Sequence, residues 1–428
     1  MKIPVSLSCA VGLLCALLSQ PRSSTAQQGA ACVISTTPAY GNAADMRDLR
    51  TRAWQLLLPI ARADPPIYNS PDWTQREAAF RQPSGPPEPH RGLTLSFTRE
   101  FVYARLAKKN AAAPPDPSAP EATLYESVFF NPAAVAHIQD KDFPLYQNND
   151  TAAKLLGESK REIPEFRKDA MAVKTFWRPV PEKTQVKVGV WQWKNLPSGA
   201  DEFPESAWPH AQICVELDPA PGSPCLKAAD KFVTTVTTEN TGAGFSCPAA
   251  SGDCPTLPKG RTLILLATHV ASKQKPDWFW ATYWWKGIER TDGAMPATAS
   301  WTCDNAQRPA ELSTGLWSNY SMNVTTSFTM PKPKVAAADM NTCGSPAMIG
   351  NYEQLLAAYN PFVEGVTIRG RKSTCIDCHS RALNASQFPF YIPPVCSGTR
   401  YLPKLSDFEG SIRTDYMWSV ANHLKPSH

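Results

Sequence analysis

The clearest chemistry in the sequence lies in a run of five residues near its end, Cys375-Ile376-Asp377-Cys378-His379. Two cysteines separated by two residues and followed by histidine are typical of covalent haem c attachment. The thiols form thioethers with the haem vinyl groups, and the adjacent histidine is thereby placed as proximal ligand of the iron. The motif predicts one covalently attached haem c, bound through Cys375 and Cys378, with His379 on the metal.

Three other interpretations of the motif compete with haem attachment. A zinc site needs further ligand pairs at short spacing, and the sequence has no second CxxC and no HxxxH. A thioredoxin-type pair needs a βαβ context, whereas residues 367–374 form a short basic segment. A plain disulfide between Cys375 and Cys378 stays open, although a two-residue gap strains the ring.

The second axial ligand of the iron decides what such a site does. Met417 is the only methionine after His379 and lies in a segment with helical spacing, so we expect it to bind the iron. A plain core methionine is an equal alternative, because Tyr416, Val420 and Leu424 share its helical stripe. Other candidates are a vacant site or one of the following residues: His423, Met340 and Met348.

Residues around the motif could support the haem. Four basic residues could pair with the propionates or dock an acidic redox partner, or form a solvated loop. They are Arg369, Arg371, Lys372 and Arg381. A carbonyl near Pro389 or Pro393 could fix the tautomer of His379. His269 precedes a tryptophan-rich strand and could approach the distal haem face, although a structural role is the more common one for such a histidine.

Composition excludes several classes of protein. The 428 residues are 43% hydrophobic and 19% charged, which excludes a disordered chain and a membrane bundle. A net charge of +5 gives no case for nucleic-acid binding. Lys2, the apolar run 3–18 and small residues up to Ala26 predict a cleaved export signal, with an uncleaved anchor as the alternative. We therefore expect a periplasmic protein without a membrane-spanning helix.

The remaining cysteines suggest disulfides, as expected in an oxidising compartment. Short loops favour Cys214–Cys225 and Cys247–Cys254. Cys303–Cys343 would link the long N-terminal part of the chain to its C-terminal region, and elimination leaves Cys32–Cys396.

Hydrophobic periodicity predicts an α+β fold, with a β-rich body followed by a small helical cytochrome-c-like tail. A helix is predicted over 45–60 and strands over the segments 93–97, 186–190, 261–270, 277–285 and 320–328. Further helices are predicted over 351–359 and 415–424. The expected organisation is a signal peptide (1–26), the body (27–340) and a haem-binding region (341–428).

Three stretches resemble exported bacterial proteins of the cytochrome c family, which have a long body and a single C-terminal CxxCH. The residues are Val173, Lys174, Trp177 and Arg178; His269, Lys273, Trp278, Trp280, Ala281 and Thr282; and Cys375 to His379 with Asp415, Trp418 and Ser419. The resemblance implies haem attachment at Cys375 and Cys378, His379 as proximal ligand, and electron transfer. It implies no substrate.

The expected function is that of an exported monohaem cytochrome that transfers single electrons to a periplasmic redox partner protein. One alternative is a haem oxidoreductase, peroxidase-like or acting on an organic small-molecule substrate, whose substrate site lies in the body. Another is a haem-containing sensor or binding protein. The body is far larger than an electron carrier needs, which argues for a second role.

Overall fold

The computed structural model describes residues 43–62, 70, 72–81, 95–97, 124–145, 148–158, 161–191, 205, 212–238, 257–287, 307–330, 352–355, 358, 360–364, 375–383 and 411–424. The predicted export signal lies outside these residues. So do six of the cysteines assigned to disulfides, namely Cys32, Cys247, Cys254, Cys303, Cys343 and Cys396.

A large antiparallel sheet dominates the described part of the chain. Its main path runs β1-β3-β4-β9-β10-β11, with β2 paired to β3 and β8 paired to β9. The strands are β1 (Thr74–Gln75), β2 (Ser96–Phe97), β3 (Tyr125–Phe130), β4 (Met171–Pro179), β8 (Thr234–Val236), β9 (Thr262–Ser272), β10 (Phe279–Trp285) and β11 (Tyr320–Thr325). The predicted β-rich α+β body is confirmed.

Two smaller sheets accompany the large one. The first contains β5 (Val186–Gly189), β6 (Gln212–Glu216) and β7 (Leu226–Lys227), and the second pairs β12 (Ser327–Met330) with β13 (Tyr352–Leu355). The disulfide Cys214–Cys225 links the region of β6 to that of β7. This pairing was predicted from the short loop and is confirmed.

The helices are α1 (Ala43–Ala61), α2 (Arg76–Ala79), α3 (Pro132–Ile138), α4 (Asn148–Leu156), α5 (Ala228–Lys231), α6 (Pro361–Glu364), α7 (Cys375–His379) and α8 (Trp418–His423). The first agrees with the helix predicted over 45–60. Within the described residues, no helix has the length and apolar character needed to cross a bilayer.

The central strands are buried on both faces, which explains their nearly continuous apolar sequence. On one face of β10, the Tyr283 hydroxyl donates to the Ala53 carbonyl of α1, and the Trp54 ring packs against the Tyr283 ring. These contacts seat the apolar side of α1 on the sheet.

The opposite face of β10 packs against the end of the chain. Trp280 belongs to a buried apolar cluster that also contains Cys375, Ile376, Met417 and Val420. Body and tail therefore share one core. Burial of large apolar side chains in such a core stabilises their contact by about 1.5–3 kcal/mol per side chain.

The prediction of a helix over residues 351–359 is wrong. Residues 352–355 form β13 instead, whose backbone pairs antiparallel with β12 from Ser327↔Leu355 to Met330↔Tyr352. A long-range strand partner has overridden a local helical pattern, because intrinsic propensity is a weak preference that tertiary pairing readily outweighs.

Candidate functional site

Helix α7 consists of the CxxCH motif itself. Cys375 and Cys378 are three residues apart, a spacing that brings side chains to one side of a helix. The structure joins neither of them in a disulfide. The pKa of Cys375 is raised well above its usual value, first by burial and then by the nearby negative charge of Glu364. Cys375 is therefore a neutral thiol held at the edge of the apolar core.

His379, at the end of α7, has a fixed orientation. Its Nδ1 lies 2.7 Å from the carbonyl oxygen of Tyr416. A carbonyl can only accept, so Nδ1 carries the proton and the lone pair of the neutral ring is at Nε2. This is the tautomer that a metal-binding histidine needs, and the carbonyl is the kind of partner that sets it.

Two tryptophans hold the helix in place. The ring centroid of Trp280 lies 4.1 Å from that of His379, with the planes tilted by 41°. The Trp280 Nε1–H donates to the Asp277 carbonyl at 3.1 Å, which fixes the indole. On the other side of the motif, the Trp418 Nε1–H donates to the Cys378 carbonyl at 3.2 Å.

An unusual backbone turn points the Tyr416 carbonyl toward His379. Asp415 and Tyr416 have φ values of 43° and 68°, in the left-handed region that is uncommon for residues other than glycine. The buried Thr414 hydroxyl bonds the carbonyls of Ala382 and Met417, at 2.9 and 3.0 Å. Helix α8 consequently begins at Trp418, whereas the sequence predicts a helix from Asp415.

A buried ion pair anchors this turn to the body. Lys273 Nζ lies 2.6 Å from Asp415 Oδ1, and the side chains are 2% and 7% exposed. The other carboxylate oxygen of Asp415 accepts the Phe166 N–H at 2.8 Å. Burial raises the pKa of Asp415 to about 6, although Lys273 acts in the opposite direction.

The side chain of Tyr416 provides a second anchor. Its hydroxyl donates to Asp277 Oδ1 at 2.6 Å. Burial and the Asp277 charge both raise the pKa of Tyr416, so it stays a hydroxyl donor. Asp277 thus contacts two residues that touch His379, because its carboxylate accepts from Tyr416 and its backbone carbonyl accepts from Trp280.

Met417 lies close to the motif, in the same buried cluster as Cys375 and Ile376. It follows Tyr416 directly, so its backbone adjoins the carbonyl that faces Nδ1, and its side chain is 3% exposed in the shared core. His423 lies further along α8, with its ring 4.5 Å from the Phe80 ring. That either residue binds iron stays a prediction.

Several sequence candidates lie outside the described residues. They are Met340, Met348, Arg369, Arg371, Lys372, Pro389 and Pro393. Arg381 is described and follows α7. The sequence suggested that a carbonyl near Pro389 or Pro393 would accept from His379 Nδ1. In the structure, the backbone carbonyl of Tyr416 accepts from this atom.

A polar row crosses the sheet on the face that receives α7. Lys174 (β4), His269 (β9), Thr282 (β10) and Asn323 (β11) are directly paired neighbours. The adjacent row on the same face contains Trp280, since residues two apart in a strand share a face. The row therefore lies beside the tryptophan that contacts His379.

Charged groups surround this row. Glu364 of α6 lies 3.6 Å from His269 Nε2. The buried Glu126 carboxylate binds Lys174 Nζ at 2.8 Å and also faces Arg76 at 3.7 Å. Asn360 seats α6 on the sheet, because its amide donates to Thr282 Oγ1 at 2.7 Å. Glu364, His269 and Lys174 thus form a half-buried group of one carboxylate, one imidazole and one amine beside the motif.

Sequence reasoning missed Tyr416, the Lys273–Asp415 pair, Asp277 and Glu364. Lys273 and Asp415 appear in the stretches that carry the family resemblance, but nothing in the spacing shows that they meet. Among the described residues, no group of three or more His, Cys, Asp or Glu side chains could hold a metal ion.

Comparison with known proteins gives no relative, since no protein-family model, no curated protein and no solved structure matches this chain.

Proposed function

We propose that this protein binds one haem c through thioethers to Cys375 and Cys378, with His379 as axial ligand, and transfers single electrons in the periplasm. The observation that supports this most is the 2.7 Å contact between His379 Nδ1 and the Tyr416 carbonyl, on a helix whose two cysteines are not joined in a disulfide. Bound haem iron would supply one-electron chemistry between its ferric and ferrous states.

The residues present fit that group. The thiols are unjoined and lie on the same side of α7, as attachment to two vinyl groups requires. The lone pair of His379 is at Nε2, because the Tyr416 carbonyl holds the proton at Nδ1. A carbonyl partner also raises the basicity of a ligand histidine, which favours the more highly charged iron.

The chain's own role is to hold the imidazole still. The Trp280 ring packs against the His379 ring, and the Asp415–Tyr416 turn positions the carbonyl that contacts His379 Nδ1. A ligand that keeps its position in both oxidation states needs little rearrangement during electron transfer, because the surrounding core is close-packed. We include in the proposal that residues 341–428 form a haem-binding tail, as in the exported cytochrome c family proteins that the sequence resembles.

The test is a potentiometric titration of the exported, purified protein. We expect reversible reduction with a single one-electron transition and rapid exchange with small redox mediators. A His379→Ala variant serves as the matched comparison, because it keeps both thiols and removes the proposed ligand. Irreversible reduction, or exchange too slow to follow with mediators, would contradict electron transfer as the function.

The polar row favours a second candidate, a haem oxidoreductase with a substrate beside the motif. Lys174, His269 and Glu364 place a cation, an imidazole and a carboxylate on the sheet face that receives α7. Such groups can move protons to and from a substrate. Multiple-turnover consumption of hydrogen peroxide with an organic electron donor would favour this candidate over simple electron transfer.

A further inference from the structure

Tyr416 differs from Tyr283 and Tyr320 in the group that accepts its hydroxyl proton. The hydroxyls of Tyr283 and Tyr320 donate to backbone carbonyls. The Tyr416 hydroxyl donates to a carboxylate instead, at 2.6 Å from Asp277 Oδ1. A carboxylate takes up a proton, whereas a backbone carbonyl accepts a hydrogen bond without taking the proton. Tyr416 is therefore a phenol with a base already hydrogen-bonded to it.

This difference decides how easily the phenol is oxidised. Removal of one electron makes a phenol hydroxyl strongly acidic, so the electron leaves at an accessible potential only when the proton leaves with it. A hydrogen bond to a carboxylate permits both transfers in one step, and the product is a neutral tyrosyl radical. The 2.6 Å between the Tyr416 hydroxyl and Asp277 Oδ1 is the length of a strong hydrogen bond to an ionised acceptor.

The backbone of Tyr416 contacts the proposed iron ligand. Its carbonyl accepts from His379 Nδ1 at 2.7 Å, so one hydrogen bond connects Tyr416 to the imidazole. A second connection runs through Asp277, whose backbone carbonyl accepts from Trp280 Nε1. The ring centroid of Trp280 lies 4.1 Å from that of His379. An electron from Tyr416 thus has two short routes to the imidazole.

The backbone of Tyr416 is also held in an uncommon conformation. Its φ of 68° is in the left-handed region, which an aromatic residue rarely adopts. Such conformations persist only where the surroundings enforce them, and they cluster at functional sites. Here the Thr414 hydroxyl and the Lys273–Asp415 ion pair hold the turn. The half-buried Tyr416 side chain packs against the apolar cluster that contains Trp280, which shields it from solvent.

Resting on the haem attachment proposed above, we infer that Tyr416 is a redox-active tyrosine that gives one electron to the haem site when a peroxide is reduced. The phenolic O–H bond breaks, the electron passes through His379 to the iron, and the proton bonds to Asp277 Oδ1. Hydrogen peroxide takes two electrons and two protons when its O–O bond breaks and two waters form. The first electron comes from ferrous iron, the second comes from Tyr416, and both protons come from solvent. The chain then holds ferric iron, a neutral tyrosyl radical and a protonated Asp277.

The inference names a peroxide as the substrate class of the oxidoreductase candidate. It also explains how a protein with one iron supplies both electrons of the reduction. An external one-electron donor then restores the phenol, which takes its proton back from Asp277.

The test uses the full-length, haem-loaded protein in its ferrous state, mixed with equimolar hydrogen peroxide, rapidly frozen and examined by electron paramagnetic resonance. We expect a tyrosyl radical whose hyperfine splitting collapses when the protein is grown with ring-deuterated tyrosine. Tyr416→Phe should lose this signal. Tyr283→Phe and Tyr320→Phe are the matched controls and should keep it, because each removes a hydroxyl that donates to a backbone carbonyl.

Asp277→Asn separates the proton transfer from the hydrogen bond. The amide oxygen of asparagine still accepts from the Tyr416 hydroxyl, but it does not take the proton, so the radical signal should be lost. If Tyr416→Phe does not fold, a nitroso spin trap added to the wild type still locates the radical. Peptide mass spectrometry should then find the adduct on Tyr416.

A signal that survives in Tyr416→Phe, or one that changes with ring-deuterated tryptophan instead of tyrosine, would overturn the inference. A full signal in Asp277→Asn would overturn it as well. So would attached haem that peroxide oxidises without any radical, or that does not react with peroxide. These outcomes leave electron transfer as the function, whereas absence of covalent haem would contradict the proposed function itself.

Discussion

The Nδ1 atom of His379 lies 2.7 Å from the carbonyl oxygen of Tyr416, which is 37 residues further along the chain. This contact joins the helix that carries the motif to a turn anchored in the body. Tyr416 is held by Asp277, and its neighbour Asp415 is held by Lys273. The orientation of His379 therefore depends on Asp277 and Lys273, which hold the turn that carries the Tyr416 carbonyl.

The first prediction concerns the Tyr416 hydroxyl. Tyr416→Phe removes the donor to Asp277 and should lower the free energy of unfolding by about 1–3 kcal/mol, measured by urea denaturation. It should also raise the reduction potential of the haem, because a less firmly held carbonyl makes His379 a less basic ligand. Tyr283→Phe is the control, since Tyr283 bonds α1 on the opposite face of the sheet. If both variants shift the potential equally, Tyr416 has no special role.

The second prediction concerns the buried ion pair. Lys273→Met leaves the Asp415 carboxylate without its cation and should cost about 3–5 kcal/mol of unfolding free energy. The double variant with Asp415→Asn should recover part of that loss, because no uncompensated charge remains. A double-mutant cycle by urea denaturation measures the coupling. Additive losses in the cycle would mean that the two residues do not act as a pair.

The third prediction is a pH dependence with a defined sign. The folded pKa of Asp415 is about 6, above the ordinary value of 3.8, so the folded state holds this proton more tightly. The corresponding stability is fully present below pH 3.8 and is lost as pH rises to about 6. Its slope is at most about 1.4 kcal/mol per pH unit.

Urea denaturation midpoints of the wild type and Asp415→Asn, measured across this interval, check that sign. The variant should lose this contribution to the slope, because asparagine does not titrate. Parallel curves for the two proteins would show that Asp415 has no raised pKa.

The fourth prediction concerns the disulfide between Cys214 and Cys225, which closes a short loop with a sequence separation of 11. Replacing both cysteines with alanine should lower the unfolding free energy by about 3 kcal/mol, since the unfolded chain regains freedom. The haem spectrum should stay unchanged, because this loop belongs to the small sheet of β5, β6 and β7. A change in the spectrum would contradict the separation of this sheet from the site.

The sequence allows some features to be predicted and not others. Strands β9 and β10 were predictable because their side chains point alternately to two buried faces of the sheet. Such burial leaves a nearly continuous apolar or alternating pattern in the sequence. The thiols and His379 were predictable because their chemistry lies in consecutive residues. The Tyr416 carbonyl was not, since a backbone acceptor leaves no trace in residue type. Glu364 and β13 depend on distant partners, and the sequence suggested a helix where β13 forms.

The most direct test of the account is the intact mass of the mature protein, produced by export together with haem c maturation machinery. The account predicts a gain equal to one haem that survives denaturation and acid–acetone extraction, and that is lost in the Cys375→Ser, Cys378→Ser double variant. An unmodified mass, with haem absent or fully extractable, would contradict covalent attachment at the motif and with it the central claim.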